Sequence, residues 1–366
     1  MKFSIDRDVM VEPLQLMMGV VDRRQTAPVL SHILLEVVDQ DLVMTGSDQE
    51  LEITAQIPLA GSLGFGEITV SARKIFDICR NLSPLAVLRV EELEHAIQIQ
   101  SGRFHCQLKG LPAHDFPRVD LGEPEFSMAL DASCLWGLIT RVDFAMAHHD
   151  VRYFFNGLLL EVMQGKLRVV ATNGQRLAVA ETATDHQETV TLQAILPRKA
   201  VAELLRVLKG EGEVCLKLTR QHLSVERNQV RLTTKLIDAD YPDYHRAIPT
   251  GGDKRLTVDR QLLKNALMRI SVLSNELYRN VRLQLAPGQL KLSTNNPMQE
   301  EAEEVLAVNY DGDPLEIGFN IGYLINVLNA INGDQIEMVL SDSAGAVLFT
   351  DPSDDSARYV ISPMVL

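Results

Sequence analysis

Three stretches of this 366-residue chain repeat one pattern of strand pair, helix and strand pair, and a triplicated module limits the possible folds more than any single motif. The first elements are HILLEVVDQDLVMTGSDQEL (32–51), GLLLEVMQGKLRVVATNGQRL (157–177) and NVRLQLAPGQLKLSTNNPMQE (280–300). Each alternates apolar and polar residues through a short turn, as a half-buried hairpin does. The second elements, SARKIFDICRNL (71–82), PRKAVAELLRVL (197–208) and NIGYLINVLNAI (320–331), carry apolar residues at helical spacing. Leu42, Leu167 and Leu290 are separated by 125 and 123 residues, and Arg73, Arg198 and Ile321 by the same two intervals. A further helix precedes each hairpin, at 6–24, 131–147 and 259–274, with Asp131 and Asp259 where N-caps are expected. Two helices backed by antiparallel strands make an α+β layer structure. Linkers rich in Pro, Gly and charge at 121–130 and 248–256 divide the chain into 1–124, 125–250 and 251–366.

Composition removes several classes. With 46% hydrophobic residues and a mean hydropathy of +0.01 the chain is ordinary globular protein, and no apolar run approaches a membrane span or a signal peptide. A cytoplasmic protein is expected. Cys79, Cys106, Cys134 and Cys215 are widely spaced without a C-x-x-C pair, so they read as reduced core or interface thiols.

The net charge of −14 opposes any phosphate partner unless charge is segregated. It is: the six helical segments together carry +5, which leaves −19 on the rest. A basic helical wall attracts the nucleic-acid backbone without reading bases. No zinc-finger spacing, helix-turn-helix signature or aromatic ladder is present, and aromatics are only 5% of residues. Two chains joined head to tail would set twelve helices around a hole of about 28 Å, taking roughly 10 Å per helix. A duplex on the order of 20 Å across fits inside.

Several stretches carry a family resemblance: MKFSIDRD at the start, SARKIFDICRNL (71–82), MAHHDVRYFFNGLLLE (146–161), ATNGQRLAV (171–179), LIDADYPDYHR (236–246), NNPMQEEAEE (295–304) and the final ISPMVL (361–366). Over its whole length the chain resembles the beta subunit of bacterial DNA polymerase III, the DNA sliding clamps. The resemblance implies three repeated domains of the DNA clamp fold that close as a dimer into a six-domain ring. It also implies a non-catalytic processivity factor, without a cofactor, that encircles duplex DNA and slides without sequence specificity. The implied partners are a second copy, double-stranded DNA, a clamp loader, the DNA polymerase III alpha subunit, and other polymerases and repair proteins carrying a clamp-binding motif, with no membrane role.

By the same resemblance, a partner-peptide groove between the second and third domains maps onto Arg152, Phe155, Thr172, Gly174, Arg176, Leu177, Pro242, Arg246, Ala247, Tyr278, Asn320, Tyr323, Val360, Ile361, Ser362, Pro363, Met364, Val365 and Leu366. The chemistry suits it. Leu177, Pro242, Met364 and the aromatics suit a Leu or Phe anchor, with Arg176 and Arg246 at the rim. Phosphate contact is assigned to Arg24, Arg73, Lys74, Arg80, His149, Arg152, Tyr153, Arg198, Lys199 and Arg206. The dimer contact is assigned to Lys74, Arg103, His105, Cys106, Leu108, Val272, Leu273, Glu300, Glu301 and Glu304, with an edge strand expected over 101–110. Relatives commonly read Asp-Gly-His-Arg where this chain has Asn173-Gly174-Gln175-Arg176. They also often carry Arg for Val365, Arg for His105 and an aromatic for Cys106, so partner preference and dimer strength shift in detail.

The competing enzyme reading rests on His148-His149-Asp150 as metal ligands of a hydrolase or nuclease. Adjacent histidines point apart on regular elements, and no H-E-x-x-H, phosphate-binding loop, dinucleotide fingerprint or nucleophile elbow occurs. A plain scaffold that never meets DNA would use the groove but leave the basic helices without a role.

Overall fold

A computed structural model describes residues 1–21, 27–185, 191–274 and 279–365. Among the described residues six α-helices fall where the periodicity puts them: α1 Arg7–Val20, α2 Ala72–Asn81, α3 Ala132–Thr140, α4 Arg198–Val207, α5 Arg260–Ser271 and α6 Ile321–Ala330. In α1 the residues Met10, Leu14, Met17 and Val20 form one buried stripe. The expected caps are used: the Asp259 carboxylate accepts from Leu262 N at 2.7 Å and that of Asp131 from Ser133 N at 2.7 Å. The third helix is shorter than the expected 131–147. It stops at Thr140, whose hydroxyl donates to the Gly137 carbonyl, and the chain continues as a 3-10 turn at Asp143–Ala145.

All three hairpins form: His32–Val38 with Asp41–Ser47, Gly157–Met163 with Lys166–Thr172, and Asn280–Ala286 with Gln289–Asn295. Their two-residue turns each place one residue in the left-handed region, Asp39 (φ 54), Gly165 (φ 70) and Gly288 (φ 74). The repetition extends to single hydrogen bonds. After each hairpin an Asx side chain closes the next turn: Asp48 accepts from the backbone of Glu50 and Leu51, Asn173 from Gln175 and Arg176, Asn296 from Met298 and Glu300.

The chain forms two compact units, Met1–Trp136 with Lys199–Leu236, and Gly137–Arg198 with Ile237–Leu366. In the first unit the strand Leu51–Pro58 pairs antiparallel with Val230–Lys235, so a strand of the first repeat joins the last strand of the second. In the second unit Arg176–Ala183 pairs in the same way with Asp354–Ile361, joining second repeat to third. Among the described residues, two strands that hold the places of these seam strands in the other repeats stay without a seam partner. Phe104–Leu111 pairs fully with Ala96–Ser101 but touches its other neighbour, Gly66–Ser71, only through Gly110 and Leu111. Glu301–Ala307 is one of the two outer strands of a four-stranded sheet.

Candidate functional site

In the second unit the segment after Leu236 crosses one face of the eight-stranded sheet. Tyr244 packs there with buried Leu159, Val170, Leu177, Val179, Ile195 and Val360, flanked by Phe154, Tyr241 and Ile248. Beside this cluster opens a cleft of about 190 Å³ lined by Phe155, Thr172, Gly174, Gln175, Arg176, Leu177, Pro242, Asp243, Tyr244, Ala247, Val360 and Ser362. The strand pairing explains the wall, since Leu177 lies opposite Val360 in the register.

Nine of the expected groove residues therefore converge, and Gln175, Asp243 and Tyr244 join them. Tyr244 stood inside the YPDYHR stretch, and the signal for it was a bulky aromatic between polar residues of a linker. Its hydroxyl donates to Glu161 Oε2 at 2.5 Å and accepts from Arg168 Nη1 at 2.8 Å, while Arg168 also pairs with Glu181 at 2.7 Å. Burial first, then the Glu161 carboxylate, raises the Tyr244 phenol well above its ordinary range.

The charged and polar residues of the expected groove are engaged by their own neighbours. Arg176 is not a free rim cation: its guanidinium lies 4.4 Å over the Tyr323 ring and 5.2 Å over that of Phe144, with Nη1 donating to Asn326 Oδ1 at 2.7 Å and Nη2 to the Phe144 carbonyl. Tyr323 donates to Gln175 Oε1 at 3.0 Å and accepts from Asn173 Nδ2 at 3.1 Å. Asn320 caps α6. Arg246 is exposed and held by Asp243 at 3.0 Å. Ile361 is fully buried in the core, whereas Ser362 N donates to Gln175 O and Met364 N to Gly318 O, both at 2.8 Å. Pro363 is half-buried and Val365 fully exposed. Tyr278, Leu366 and Arg24 lie outside the described residues.

Arg152 sits behind the cleft wall. Its guanidinium lies 4.4 Å over the Phe155 ring and pairs with Asp150 through Nε at 3.0 Å and Nη2 at 2.9 Å. That pairing drives the Asp150 carboxyl down to about 2. The loop around it exposes His148, His149, Val151 and Tyr153, the last 74% exposed. Arg198 reaches back to the Met146 carbonyl at 3.3 Å.

In the first unit most expected phosphate contacts already have an acidic neighbour. Asp77 binds Arg73 at 2.6 Å and approaches Arg80 at 3.7 Å, and Glu203 binds Arg206 at 3.1 Å. Lys199 donates to Asp48 Oδ2 at 2.5 Å and to the Val20 carbonyl at 2.9 Å, latching α4 onto the end of α1. Lys74 is exposed and makes no ion pair among the described residues.

On the two open edges the side chains alternate. Arg103, Phe104, His105, Gln107 and Lys109 are exposed, Cys106 is half-buried, and Leu108 is packed beneath. Glu301, Glu303 and Val305 point outward, while Glu304 turns inward to Arg269 at 2.5 Å. Glu300 accepts from Asn296 Nδ2 at 2.6 Å, Val272 is 79% exposed and Leu273 is half-buried.

Burial pushes the Cys79 thiol up to about 12, which suits an inert core thiol. Among the described residues no three His, Cys, Asp or Glu gather as a metal site, and no helix is long and apolar enough to cross a membrane.

The chain matches the N-terminal domain of the DNA polymerase III beta subunit over residues 1–120, the central domain over 129–243 and the C-terminal domain over 245–365. It is 45% identical to the beta sliding clamp of Pseudomonas putida, with both chains covered completely. The crystal structure of the DNA polymerase III subunit beta from Pseudomonas aeruginosa superposes with a TM-score of 0.98 at 44% identity over all of both chains. A second structure from that organism, a sliding clamp bound to griselimycin, gives 0.97 at 45% identity, again with complete coverage of both. The three repeats, the two joined strand seams and these likenesses agree: the chain belongs to the bacterial DNA polymerase III beta subunit family and is a sliding clamp, not an enzyme.

Proposed function

We propose that two copies close head to tail through the strands Phe104–Leu111 and Glu301–Ala307, and that the ring so formed tethers partner proteins on duplex DNA through the Leu177 cleft. One observation carries the closure. Each repeat offers a strand to the last strand of the next, two such seams are made within the chain, and the third repeat's strand and the first repeat's last strand are the two left open. A heterologous contact repeated twice completes a closed ring.

The two internal seams also supply the register. Val230 stands opposite Ala55 and Ala357 opposite Ala180, and the corresponding positions on the open edges are Phe104 and Glu304. His105 then faces Glu303, and Gln107 faces Glu301, so exposed side chains meet exposed ones. Lys74 occupies in the first repeat the place of Lys199, 125 residues on, and by analogy with the Lys199–Asp48 latch it reaches the turn at Asn296 and Glu300 of the second copy. Val272, Leu273 and Cys106 add apolar contact, which supplies most of the affinity because exposed ion pairs contribute only ~0–1 kcal/mol each.

Light scattering on the purified protein tests this. Leu273→Asp is expected to be monomeric. His105→Glu weakens the dimer and Glu303→Arg restores it in the double variant. A dimer untouched by Leu273→Asp and by His105→Glu refutes the seam.

Within the ring, the assignments of Arg73, Lys74, Arg80, Arg152, Arg198 and Arg206 to phosphate contact rest on their exposed or half-exposed guanidinium and ammonium groups, those of His149 and Tyr153 on their exposed polar rings, and all of them on the family role; Lys199 is tied more closely to its own fold. The domain boundaries 1–124, 125–250 and 251–366 belong to the same reading, as do the cytoplasmic setting and the loader, polymerase and repair partners. For the groove, the support is an apolar pocket with polar rim atoms, of the kind that takes a Leu or Phe side chain from an extended segment.

A further inference from the structure

Arg152 touches two things that the proposed function uses separately. On one side it backs the cleft: its guanidinium stacks on Phe155, and a Cβ added at Gly174 would lie only 3.3 Å from both terminal nitrogens. Phe155 and Gly174 both line the cleft, whereas Arg152 does not. On the other side it belongs to the exposed loop of His149 and Tyr153, where the guanidinium is half open to solvent.

The loop is built to present this residue. Asn156 ties its base, accepting from Asp150 N at 2.9 Å and donating to Asp150 O at 2.7 Å, and Asp150 Oδ1 accepts from the backbone of Arg152 at 2.9 Å. Asp150 then accepts two further bonds from the guanidinium, a planar fork-to-carboxylate pair in which the oxygens of a phosphate diester can replace the carboxylate acceptor for acceptor. The replacement draws the guanidinium away from Asp150 and off the Phe155 face.

The geometry points to Arg152 as a positioning residue shared by groove and loop, such that phosphate binding at the loop weakens peptide binding in the groove. This inference rests on the groove and phosphate-contact readings above. Its size is that of a half-exposed cation–π contact, about two- to fivefold in affinity. Linkage requires the reverse effect to be equal: bound peptide weakens duplex binding by the same factor.

The experiment titrates a labelled peptide with a Leu-Phe anchor into the full-length dimer by fluorescence anisotropy, with and without a saturating short blunt DNA duplex at constant ionic strength. The wild type is expected to lose about two- to fivefold in peptide affinity when duplex is present. Asp150→Asn, which releases the guanidinium without DNA, shows the weakened affinity from the start and no further change with duplex. Arg152→Lys cannot stack on the Phe155 face in the same plane, so its peptide titrations with and without saturating duplex are expected to coincide. Equal peptide affinity with and without duplex in the wild type overturns the proposal, as does undiminished coupling in Arg152→Lys. Absence of peptide binding to the wild type would instead bring down the groove reading, and absence of duplex binding the loop reading, each visible in its own control titration.

Discussion

Replacing Tyr244 by Phe removes one oxygen and leaves the ring that walls the cleft. The hydroxyl donates to Glu161 Oε2 at 2.5 Å and accepts from Arg168 Nη1 at 2.8 Å. Glu161 is only 3% exposed, and without the phenol its Oε2 keeps just the Arg168 guanidinium at 3.7 Å, while Oε1 still accepts from Gln193 at 2.7 Å. A bond to a buried charged group contributes about 1.5–3 kcal/mol, and the stranded oxygen adds part of its desolvation cost. A loss of about 2–3 kcal/mol is expected in the second unit, or on the order of 1 M in urea midpoint at a slope of ~2–3 kcal/mol per molar. The apolar surface is unchanged, so peptide affinity should stay within about twofold. Urea unfolding followed by circular dichroism, with a peptide titration on the same preparation, reads both quantities. Glu161→Gln in the Tyr244→Phe background completes a double-mutant cycle, with a coupling of about 1–2 kcal/mol expected. An unchanged midpoint, or a cycle that closes to zero, would show that the network contributes nothing to the groove floor.

Deleting Met364–Leu366 removes the Met364–Gly318 bridge beside the cleft, and should abolish peptide binding while light scattering still reports a dimer; unchanged anisotropy titrations refute the tail's role. Burial raises the Glu203 carboxyl above its ordinary range, so the folded state favours the protonated form and its charge costs stability once pH exceeds the unfolded value of about 4.3. Glu203→Gln should therefore raise the thermal midpoint at pH 8, and the gain should vanish below about pH 4. A gain that persists there, or none at pH 8, contradicts that account. Asp77→Asn frees Arg73 and Arg80, and should tighten duplex binding at low salt with a steeper salt dependence, by up to about 0.9 in the log–log slope per phosphate gained. Identical slopes would remove α2 from the DNA surface.

Much of the candidate cleft is legible in the sequence. Thr172, Gly174, Leu177, Pro242, Ala247 and Val360 converge on one cleft, as the family motifs imply. Charge was harder to place. Arg176 and Lys199 look in sequence like cations available to ligands, yet one is sandwiched between Phe144 and Tyr323 and the other caps the end of α1. Sequence spacing gives a side chain's type and neighbourhood along the chain, but not which distant ring or carbonyl packs against it. Tyr244 was missed for the same reason, because its importance comes from Glu161 and Arg168 on strands far upstream.

Period and spacing alone determined that the chain is three copies of one layered module, because hairpin alternation and helical stripes are local properties that each copy must satisfy by itself. The tertiary structure decided which edges remain open, which carboxylate holds which guanidinium, and where the apolar cleft lies. These depend on how strands from different repeats pair, and pairing energy is set by the register of residues that the linear order keeps more than a hundred positions apart.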